Sequence, residues 1–362
     1  MRGLAVLTFL VLLGFTAVPA QAAPAVLDDA LTRAVADDQL PGGLVVVRGA
    51  DGLSRHTAGF SDVDTRAGFA PNTHVRVASI TKTFVAATVL QLVAEGKVDL
   101  DATIDTYLPG RVHGEGFDGS AITVRQLLRH QSGLPEYFDP GTEIPTGPVA
   151  AEQLLDAALA RPAQFPPGTS WEYTNTNYVV AGLIIEAVTG RPTVDEITRR
   201  IIAPLGLTDT YFPAPGDTAL RTPFAHGYEL EDGRRKDVTA FNASAAGMSG
   251  SLVSTNEDTT AFITALLDGR VVPPAQLRQM MDTVEQPDAP GFRYGLGLAS
   301  IELPCGVTVW GHGGDIEGYH SLMAKPLEGD AVSVTFTQNP AAQSLLDDPR
   351  AAVLDALYCQ AS

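Results

Sequence analysis

The amino-acid sequence predicts an α+β fold in which one antiparallel sheet is built from both ends of the chain and flanked by helices, with a mainly helical subdomain inserted. Strand patterns, short apolar segments bounded by turn residues, occur near residues 43–60 and again within residues 294–337. The segment between them has apolar residues mostly at helical spacing. Strands at both ends with helices between them are typical of one shared sheet.

The N-terminal elements are a helix followed by two strands. Apolar residues recur at helical spacing over residues 26–40, and residues 43–49 and 57–60 are predicted to form a hairpin around an Asp-Gly turn. A long apolar helix is predicted over residues 79–95, where Gly96 ends it.

Helices fill the middle of the chain, and strands return near its C-terminus. Helical periodicity with Gly or Pro stops predicts helices over residues 124–129, 151–159, 177–189, 195–202, 257–267 and 274–282. Apolar runs near the C-terminus predict strands over residues 294–303, 307–310, 319–324 and 332–337. A last helix is predicted over residues 348–358.

The first 22 residues have the features of a cleaved secretory signal: Arg2, an apolar run over residues 4–18, and the ending Ala-Gln-Ala before Ala23. A membrane anchor is the alternative, but the run is shorter than the roughly 20 residues that a spanning helix needs. We therefore expect residues 1–22 to be removed and residues 23–362 to form one domain. The mature protein is expected to be secreted to the extracellular or cell-wall space, without a membrane span.

The composition suits a globular domain that does not bind nucleic acid. The chain has 24 basic and 42 acidic residues, a net charge of −18, and 45% of its residues are apolar. The acidic residues are dispersed along the chain, which is typical of a soluble extracellular surface. Such an acidic chain repels a phosphate backbone, so nucleic acid is an improbable partner.

Two cysteines, Cys305 and Cys359, complete the compositional evidence. Disulfides persist in exported proteins, so the predicted signal favours a bridge between them, with two buried free thiols as the alternative. Loop closure over the 54 positions that separate them gives such a bridge about 4 kcal/mol. Neither cysteine has the neighbours of a nucleophile or of a zinc site.

The first candidate catalytic group is Ser79 with Lys82, at the start of the long apolar helix. Their spacing places both side chains on one face, one turn apart. A lysine in a dry pocket has a lowered pKa and activates a neighbouring serine, whose N–H at a helix N-terminus holds an oxyanion. The alternative is an N-cap serine followed by a surface lysine. Because the chain has four lysines and this one lies in an apolar helix, we favour the catalytic interpretation.

Tyr173 and Asn175 form the second group, just before the helix predicted at residues 177–189. In a turn, side chains two residues apart can both enter one cleft. A Tyr hydroxyl near a lysine can carry a proton, and an Asn amide can bind a substrate carbonyl. The alternative is that Tyr173 packs in the core and Asn175 caps the helix.

The third group is His312, Gly313 and Gly314, on a predicted strand and followed by Asp315. Glycines beside a histidine let backbone and substrate approach closely, and such a strand can donate an N–H to an oxyanion. An ordinary strand-to-turn histidine is the alternative. Elsewhere, residues 247–251 lack the last Gly of a nucleophile elbow, so we predict a tight turn there.

In this order, the three groups resemble the boxes of the penicillin-recognising SxxK serine hydrolases, which include class C β-lactamases, DD-peptidases, esterases and aminopeptidases. Residues 128–135, 173–178 and 294–297 are similar to further segments of the family, and the resemblance covers essentially the whole mature chain. It is strongest to secreted actinobacterial D-alanyl-D-alanine carboxypeptidases, which carry the pattern of Cys305 and Cys359. The resemblance implies a β-lactamase/DD-peptidase fold.

The resemblance also implies roles for the first two groups. Ser79 would be the nucleophile and Lys82 its general base, and Tyr173 would carry the proton to the leaving group and from the deacylating water. The N–H groups of Ser79 and Asp315 would form the oxyanion hole. Neither a metal nor a cofactor is implied.

On the substrate side, Asn175 would position the substrate carbonyl. His312 would take the place of the family's third-box cation, and Gly313 and Gly314 would contact the substrate. These assignments, like the catalytic ones, are carried over from the family's motifs.

The substrate side departs from the family where a peptide's terminal carboxylate is held. The resembling carboxypeptidases have hydroxyl residues at the positions of Gly313 and Asp315 and an arginine at the position of Ala299. Here the hydroxyls are missing, an acid is added, and Arg293 is the nearest arginine in sequence. A carboxylate beside Asp315 would be repelled unless a cation intervenes.

We therefore expect a hydrolase that works through a Ser79 acyl-enzyme, with D-alanyl-D-alanine carboxypeptidase activity on peptidoglycan peptides as the first hypothesis. Esterase, D-aminopeptidase and β-lactamase activities are the alternatives within the family, and the altered carboxylate site favours the esterase and D-aminopeptidase activities. An inactive muropeptide- or β-lactam-binding protein is a further alternative, although retention of Lys82 and Tyr173 argues against it. The expected partner is a small-molecule or peptide substrate, bound by a monomer.

Overall fold

The structure is a computed structural model that describes residues 22–114, 116–139, 142–286, 289, 291–341 and 347–359. Apart from Ala22, the predicted secretory signal lies outside these residues. Among the described helices, none is both long enough and apolar enough to cross a bilayer.

The strands occur at both ends of the chain, with short pairs between. In chain order they are β1 (Gly42–Gly49), β2 (Gly52–Gly59), β3 (Val75–Arg76), β4 (His113–Gly114), β5 (Phe117–Asp118), β6 (Tyr228–Glu231), β7 (Arg234–Asp237), β8 (Val253–Ser254), β9 (Val284–Glu285), β10 (Phe292–Tyr294), β11 (Ala299–Glu302), β12 (Thr308–Ile316), β13 (Tyr319–Pro326) and β14 (Ala331–Phe336).

The helices lie mostly between the two groups of strands. They are α1 (Ala22–Asp37), α2 (Thr81–Ala94), α3 (Val124–Leu128), α4 (Ala151–Leu159), α5 (Thr176–Thr189), α6 (Thr193–Ile197), α7 (Ala203–Leu205), α8 (Gly247–Gly250), α9 (Asn256–Leu267), α10 (Pro274–Met280) and α11 (Pro349–Tyr358).

One antiparallel sheet of eight strands joins the two ends of the chain, in the order β2-β1-β14-β13-β12-β11-β10-β9. Strand β1 pairs with β14, and Val45 lies opposite Val334. Every residue of β13 and β14 is buried. The predicted α+β fold, with a sheet from both termini, is confirmed.

Helices cover both faces of this sheet. Leu31 of α1 and Val353 of α11 belong to one apolar cluster with Val45 and Val334. The residues that alternate with these in the strands face α9, where Asn256 donates hydrogen bonds to the carbonyl oxygens of Leu44 and Ser333. Cover on both faces explains why β13 and β14 are buried along their whole lengths.

The helical subdomain packs around α2 and α5, which are almost entirely buried. Phe84 of α2 stacks on Phe262 of α9 with ring centroids 3.6 Å apart. The turn at Ala78–Ile80, just before α2, contacts strand β12. The start of α2 therefore lies where the helical subdomain meets the sheet.

Two predicted elements are interrupted. The strand predicted over residues 294–303 is two strands, β10 and β11, because the turn between them packs against α2: a Cβ at Gly297 would lie 2.9 Å from the Lys82 carbonyl oxygen. The helix predicted over residues 195–202 ends at Ile197 and continues as a π-helical turn, Thr198–Ile202. The exposed hairpin of β6 and β7 was not predicted, because its charged sequence lacks apolar alternation.

The predicted disulfide between Cys305 and Cys359 is present, with Cα atoms 5.5 Å apart. It joins the turn between β11 and β12 to the C-terminal end of α11. One end of α11 is thereby fixed to the strand pair that carries the third candidate group.

Candidate active site

Ser79 lies in the turn Ala78–Ile80, before the first residue of α2. The N-cap alternative is wrong, because the residues that precede the turn and the helix are Val77 and Ile80. Ala78 has a left-handed backbone, with φ +46°, which costs a residue with a side chain about 1–3 kcal/mol. Strain of this kind clusters at functional sites.

Lys82 is completely buried, and its Nζ contacts three oxygens: Ser79 Oγ at 2.9 Å, Asn175 Oδ1 at 2.8 Å and the Ser249 carbonyl at 2.9 Å. The last two are carbonyl oxygens, which accept hydrogen bonds and cannot donate them. In the neutral amine, the two N–H groups are therefore used by Asn175 and Ser249. The lone pair is left facing Ser79 Oγ, as a general base requires.

Burial also sets the charge of this amine. Desolvation lowers the pKa of Lys82 to about 7, although the carboxylates of Glu136 and Asp315 act in the opposite direction. An ordinary lysine, with a pKa of about 10.4, is protonated at neutral pH. A large fraction of Lys82 is instead neutral there and able to take a proton from Ser79.

Tyr173 completes this group. Its ring centroid lies 4.7 Å from Lys82 Nζ, and its hydroxyl is near enough to Ser79 for that side chain to lower the Tyr173 pKa against its burial. Desolvation raises the pKa of Tyr173, so the phenol keeps its proton and can donate it to a leaving group. The buried His130 ring stacks on it at 4.3 Å and accepts a hydrogen bond from the Thr174 N–H.

Asn175 immediately precedes α5, but its side chain makes no capping hydrogen bond. Its Oδ1 is bound by Lys82, and its backbone N–H donates to Glu136 Oε2 at 2.8 Å. The capping alternative is therefore wrong. Burial raises the pKa of Glu136, which lines the cleft in front of Ser79.

Strand β12 brings the third group against the nucleophile turn. A Cβ at Gly314 would lie 2.1 Å from the Val77 carbonyl oxygen and 3.2 Å from Ser79 N, so a side chain there would push the strand away. The absence of a side chain places the peptide of Asp315 beside the turn of Ser79. This geometry supports the predicted oxyanion hole.

His312 lies in the cleft as a neutral side chain. Its Nδ1 donates to the Gly313 carbonyl at 2.6 Å, so Nε2 accepts the hydrogen bond of the Tyr294 hydroxyl at 2.8 Å. Desolvation, followed by the charge of Lys82, lowers the pKa of His312 to about 3. It occupies the position where the resemblance implied a cation but carries no charge at neutral pH.

Asp315 is exposed to the cleft but not isolated. Its Oδ1 is bound by His320 Nδ1 at 2.5 Å and by Arg350 Nη1 at 3.2 Å. Burial alone would raise the pKa of Asp315, but His320 and Arg350 lower it overall. Asp315 is therefore ionised and already paired with cations.

The expected departure at the carboxylate site is present, with one correction. Ala299 lines the cleft, while Arg293 bonds Thr283 and Glu285 and is not among the cleft residues. The arginine that does reach the cleft is Arg350, from α11. The sequence analysis considered only Arg293 because it is near residue 299 in sequence. Arg350 is far from residue 299 in sequence, but α11 packs against the sheet and brings it into the cleft.

The cleft has a volume of about 610 Å³. Its acidic lining residues are Glu136, Asp139, Asp315 and Glu317. Its large apolar and aromatic ones are Tyr137, Phe138, Ile144, Tyr173, Phe241, Phe292, Tyr294 and Ile316. Among the described residues, Arg350 is the one arginine in the lining, and no lysine is.

Sequence reasoning missed several contributors. Residues 247–250 form the one-turn helix α8 in place of the predicted tight turn, and the Ser249 carbonyl holds Lys82. His130 and Tyr294 lie in segments that the family resemblance had singled out but were given no role, whereas Glu136 and Arg350 lie outside those segments. Every residue has a backbone carbonyl, so the sequence gives no sign that the Ser249 carbonyl binds Lys82.

Comparison with known proteins is consistent with this geometry. The family model described as Beta-lactamase matches residues 27–357. A D-aminopeptidase of Gluconobacter oxydans is 30% identical over 88% of this chain and 60% of its own length. Penicillin-binding protein 4* of Bacillus subtilis is 24% identical over 80% of this chain and 66% of its own. The chain thus spans less than two thirds of these relatives.

Two solved structures match over almost their full lengths. A D-stereospecific amidohydrolase from Streptomyces sp. has a TM-score of 0.84 and 38% identity over 92% of this chain and 98% of its own. The D-amino acid amidase from Ochrobactrum anthropi SV3, complexed with D-phenylalanine, has a TM-score of 0.83 and 28% identity over 93% and 99%.

Proposed function

The chain belongs to the β-lactamase family of penicillin-recognising serine hydrolases, and we propose that it cleaves the amide bond of substrates that present a free α-ammonium group next to the scissile carbonyl. This is the reaction of a D-aminopeptidase or D-amino acid amidase. The observation that carries the proposal is the acidic cleft, whose lining includes Ser79 together with the carboxyl groups of Glu136, Asp139, Asp315 and Glu317.

The charges in the cleft argue for a cationic substrate end. His312 is neutral at neutral pH, and Lys82, whose pKa is about 7, is only partly protonated there. A terminal carboxylate of the substrate would lie near the carboxyl groups of Glu136 and Asp315. Arg350, the one arginine among the described lining residues, is already paired with the carboxylates of Asp315 and Asp348. An ammonium group would be attracted to the Glu136 carboxylate, which accepts hydrogen bonds from the backbone N–H groups of Tyr137 and Asn175. The charge of Asp315 is already balanced by His320 and Arg350.

Ser79, Lys82 and Tyr173 would carry out the reaction. Neutral Lys82 takes the Ser79 proton as Oγ attacks the amide carbonyl, and the N–H groups of Ser79 and Asp315 stabilise the oxyanion. The Tyr173 hydroxyl donates its proton to the departing amine and regains one from Lys82. Water then attacks the acyl-enzyme, with the same groups carrying its proton in reverse.

The D configuration is proposed from the relatives, two of which are named for D-amino acid substrates. The aromatic and apolar residues of the cleft, such as Phe138, Phe241 and Phe292, suit a hydrophobic side chain. We therefore propose an aromatic or aliphatic D-residue at the acylating position.

The test is a comparison of three substrates with purified protein. Hydrolysis of D-phenylalanine 4-nitroanilide, faster than that of its L form and of N-acetyl-D-phenylalanine 4-nitroanilide, is expected. Ser79→Ala should reduce the rate by on the order of 10⁶-fold, and intact-protein mass should show no acyl adduct. Equal rates for the free and N-acetylated anilides would contradict recognition of the ammonium.

D-alanyl-D-alanine carboxypeptidase activity is the second candidate, because Arg350 is a cation within the cleft. An acylated peptide ending in D-Ala-D-Ala, and a fluorescent penicillin, test it. Release of D-alanine and a persistent Ser79 adduct would favour a peptidase that recognises carboxylates. A transient adduct with hydrolysed drug would favour a β-lactamase.

We also propose that the protein is exported and monomeric. The support for export is the N-terminal segment, with Arg2 and its apolar run, and the disulfide between Cys305 and Cys359. N-terminal sequencing of the protein from culture medium should begin near Ala23. Light scattering of this mature form should give the mass of one chain.

A further inference from the structure

The C-terminal helix α11 carries one charged side chain, that of Arg350, into the cleft. Asp348 caps this helix by accepting the Arg350 N–H at 2.8 Å. The guanidinium of Arg350 donates from Nε and Nη2 to Asp348, and from Nη1 to Asp315 Oδ1 at 3.2 Å and the Ser321 carbonyl at 2.8 Å. One arginine thus joins α11, β12 and β13.

His320 closes the group into a ring. It lies directly opposite Asp315 on the neighbouring strand, and its Nε2 contacts Asp348 Oδ1 at 3.0 Å while its Nδ1 contacts Asp315. Ionised carboxylates accept hydrogen bonds and do not donate them, so both ring nitrogens carry a proton. Two anions and two cations then alternate, with no net charge.

This charge ring, formed by Asp315, His320, Asp348 and Arg350, is largely inaccessible except at Asp315. His320 is 5% and Asp348 8% exposed. Nothing in the proposed reaction needs these residues to transfer a proton. Their common contact with the machinery is Asp315, whose peptide lies beside the Ser79 turn because Gly314 admits no side chain there.

We propose that His320, Asp348 and Arg350 are positioning residues that hold the Asp315 peptide in the oxyanion hole, so that α11 is part of the catalytic apparatus. The ring fixes the Asp315 side chain to β13 through His320 and to α11 through Arg350. The disulfide between Cys305 and Cys359 holds the other end of α11 against the same strands. The inference rests on the proposed acyl-serine mechanism.

A positioning role predicts a loss of kcat that does not depend on substrate charge. Arg350→Ala should lower kcat about 10²-fold, comparable with loss of one oxyanion donor, on both 4-nitrophenyl acetate and D-phenylalanine 4-nitroanilide. KM should change little. Arg350→Lys, which keeps the charge but loses the planar fork, should also be impaired.

Chemical rescue distinguishes positioning from a general weakening of the fold. Because Arg350 lines the cleft, guanidinium at non-denaturing, millimolar concentration should enter the space left in Arg350→Ala and restore part of kcat. The matched control is Arg125→Ala, since Arg125 also binds an aspartate, Asp101, through two nitrogens but lies outside the cleft. It should keep full kcat and show no response to guanidinium.

The outcomes separate the two proposals. Unchanged kcat on the ester in both Arg350 variants would overturn the positioning role, as would a change confined to KM of the ammonium substrate. A wild-type protein that hydrolyses the ester but not the anilide would refute the proposed amide substrate and leave the positioning test intact. Loss of the native circular dichroism in Arg350→Ala would shift the decision to Arg350→Lys.

Discussion

Charge differs between two parts of the cleft: a neutral end around Ser79, Lys82 and His312, and a charged end at Asp315 and its charge ring. Around Ser79, burial removes charge: Lys82 has a pKa of about 7 and His312 of about 3. At Asp315, the charge ring retains charge by pairing each carboxylate with a cation. A buried lysine that is not directly paired with a carboxylate becomes a reactive neutral base. Buried carboxylates that are paired with cations stay charged and are held in one position.

The largest expected effect is at the neutral end. Tyr173→Phe removes the proton donor for the leaving amine and should lower kcat by about 10²–10⁴-fold, the usual contribution of general acid catalysis. An activated ester such as 4-nitrophenyl acetate, whose leaving group needs no proton, should be affected much less. Equal losses on the ester and the anilide would show that Tyr173 has another role.

Gly314 lies on β12 between His312 of the neutral end and Asp315 of the charged end. Gly314→Ala should lower kcat by about 10²–10³-fold, because a Cβ 2.1 Å from the Val77 carbonyl separates the oxyanion strand from Ser79. Steady-state kinetics on the ester measures this. Gly68→Ala is the control, since a Cβ there meets no atom within 4 Å; comparable losses in both variants would refute the steric argument.

At the charged end, the expected effect is on stability. Asp348→Asn keeps a helix-capping side chain but removes the anion, and should lower the free energy of unfolding by about 3 kcal/mol because His320 and Arg350 lose a partner. Urea denaturation measures the change. An unaltered midpoint would mean that the ring adds no stability.

The pH dependence of this stability has a definite sign. Burial raises the pKa of Asp348, but the opposing effects of His320 and Arg350 are larger, so its pKa in the folded protein lies below the usual value. The stabilisation that ionised Asp348 gives the fold is therefore lost as pH falls below about 4. Desolvation lowers the pKa of His320, but the carboxylates of Asp315 and Asp348 raise it overall. The stabilisation that protonated His320 gives the fold is therefore complete below about pH 6.5 and is lost as pH rises through the raised pKa. The loss on acidification should be smaller in Asp348→Asn.

The pH dependence of activity tests the neutral end without a substitution. Since Lys82 acts as a base only when neutral, kcat/KM should rise about tenfold per pH unit below about pH 7 and level off above it. Initial rates on the anilide, with the fold checked by circular dichroism at each pH, give the profile. A flat profile from about pH 5 to 8 would exclude Lys82 as the base.

Much of the fold followed from local patterns. The helix predicted over residues 151–159 is α4 (Ala151–Leu159), and the hairpin near residues 43–60 is β1 and β2. These elements have regular periodicity or a strong turn signal, which need no distant partner. The break between β10 and β11 was missed because it depends on packing against Lys82, which lies far away in sequence.

The sequence by itself determined the chemistry of the nucleophile: Ser79 and Lys82 are one helical turn apart, so local geometry alone brings them together. It also determined the order of the three groups and the cysteine pair. Tertiary structure alone decided the charges. The pKa of Lys82 depends on burial, and that of Asp315 depends on burial, on His320 of the neighbouring strand and on Arg350, which is 35 residues away and brought in by α11. Electrostatics depends on distances in space, and a sequence specifies these directly only within a turn or two.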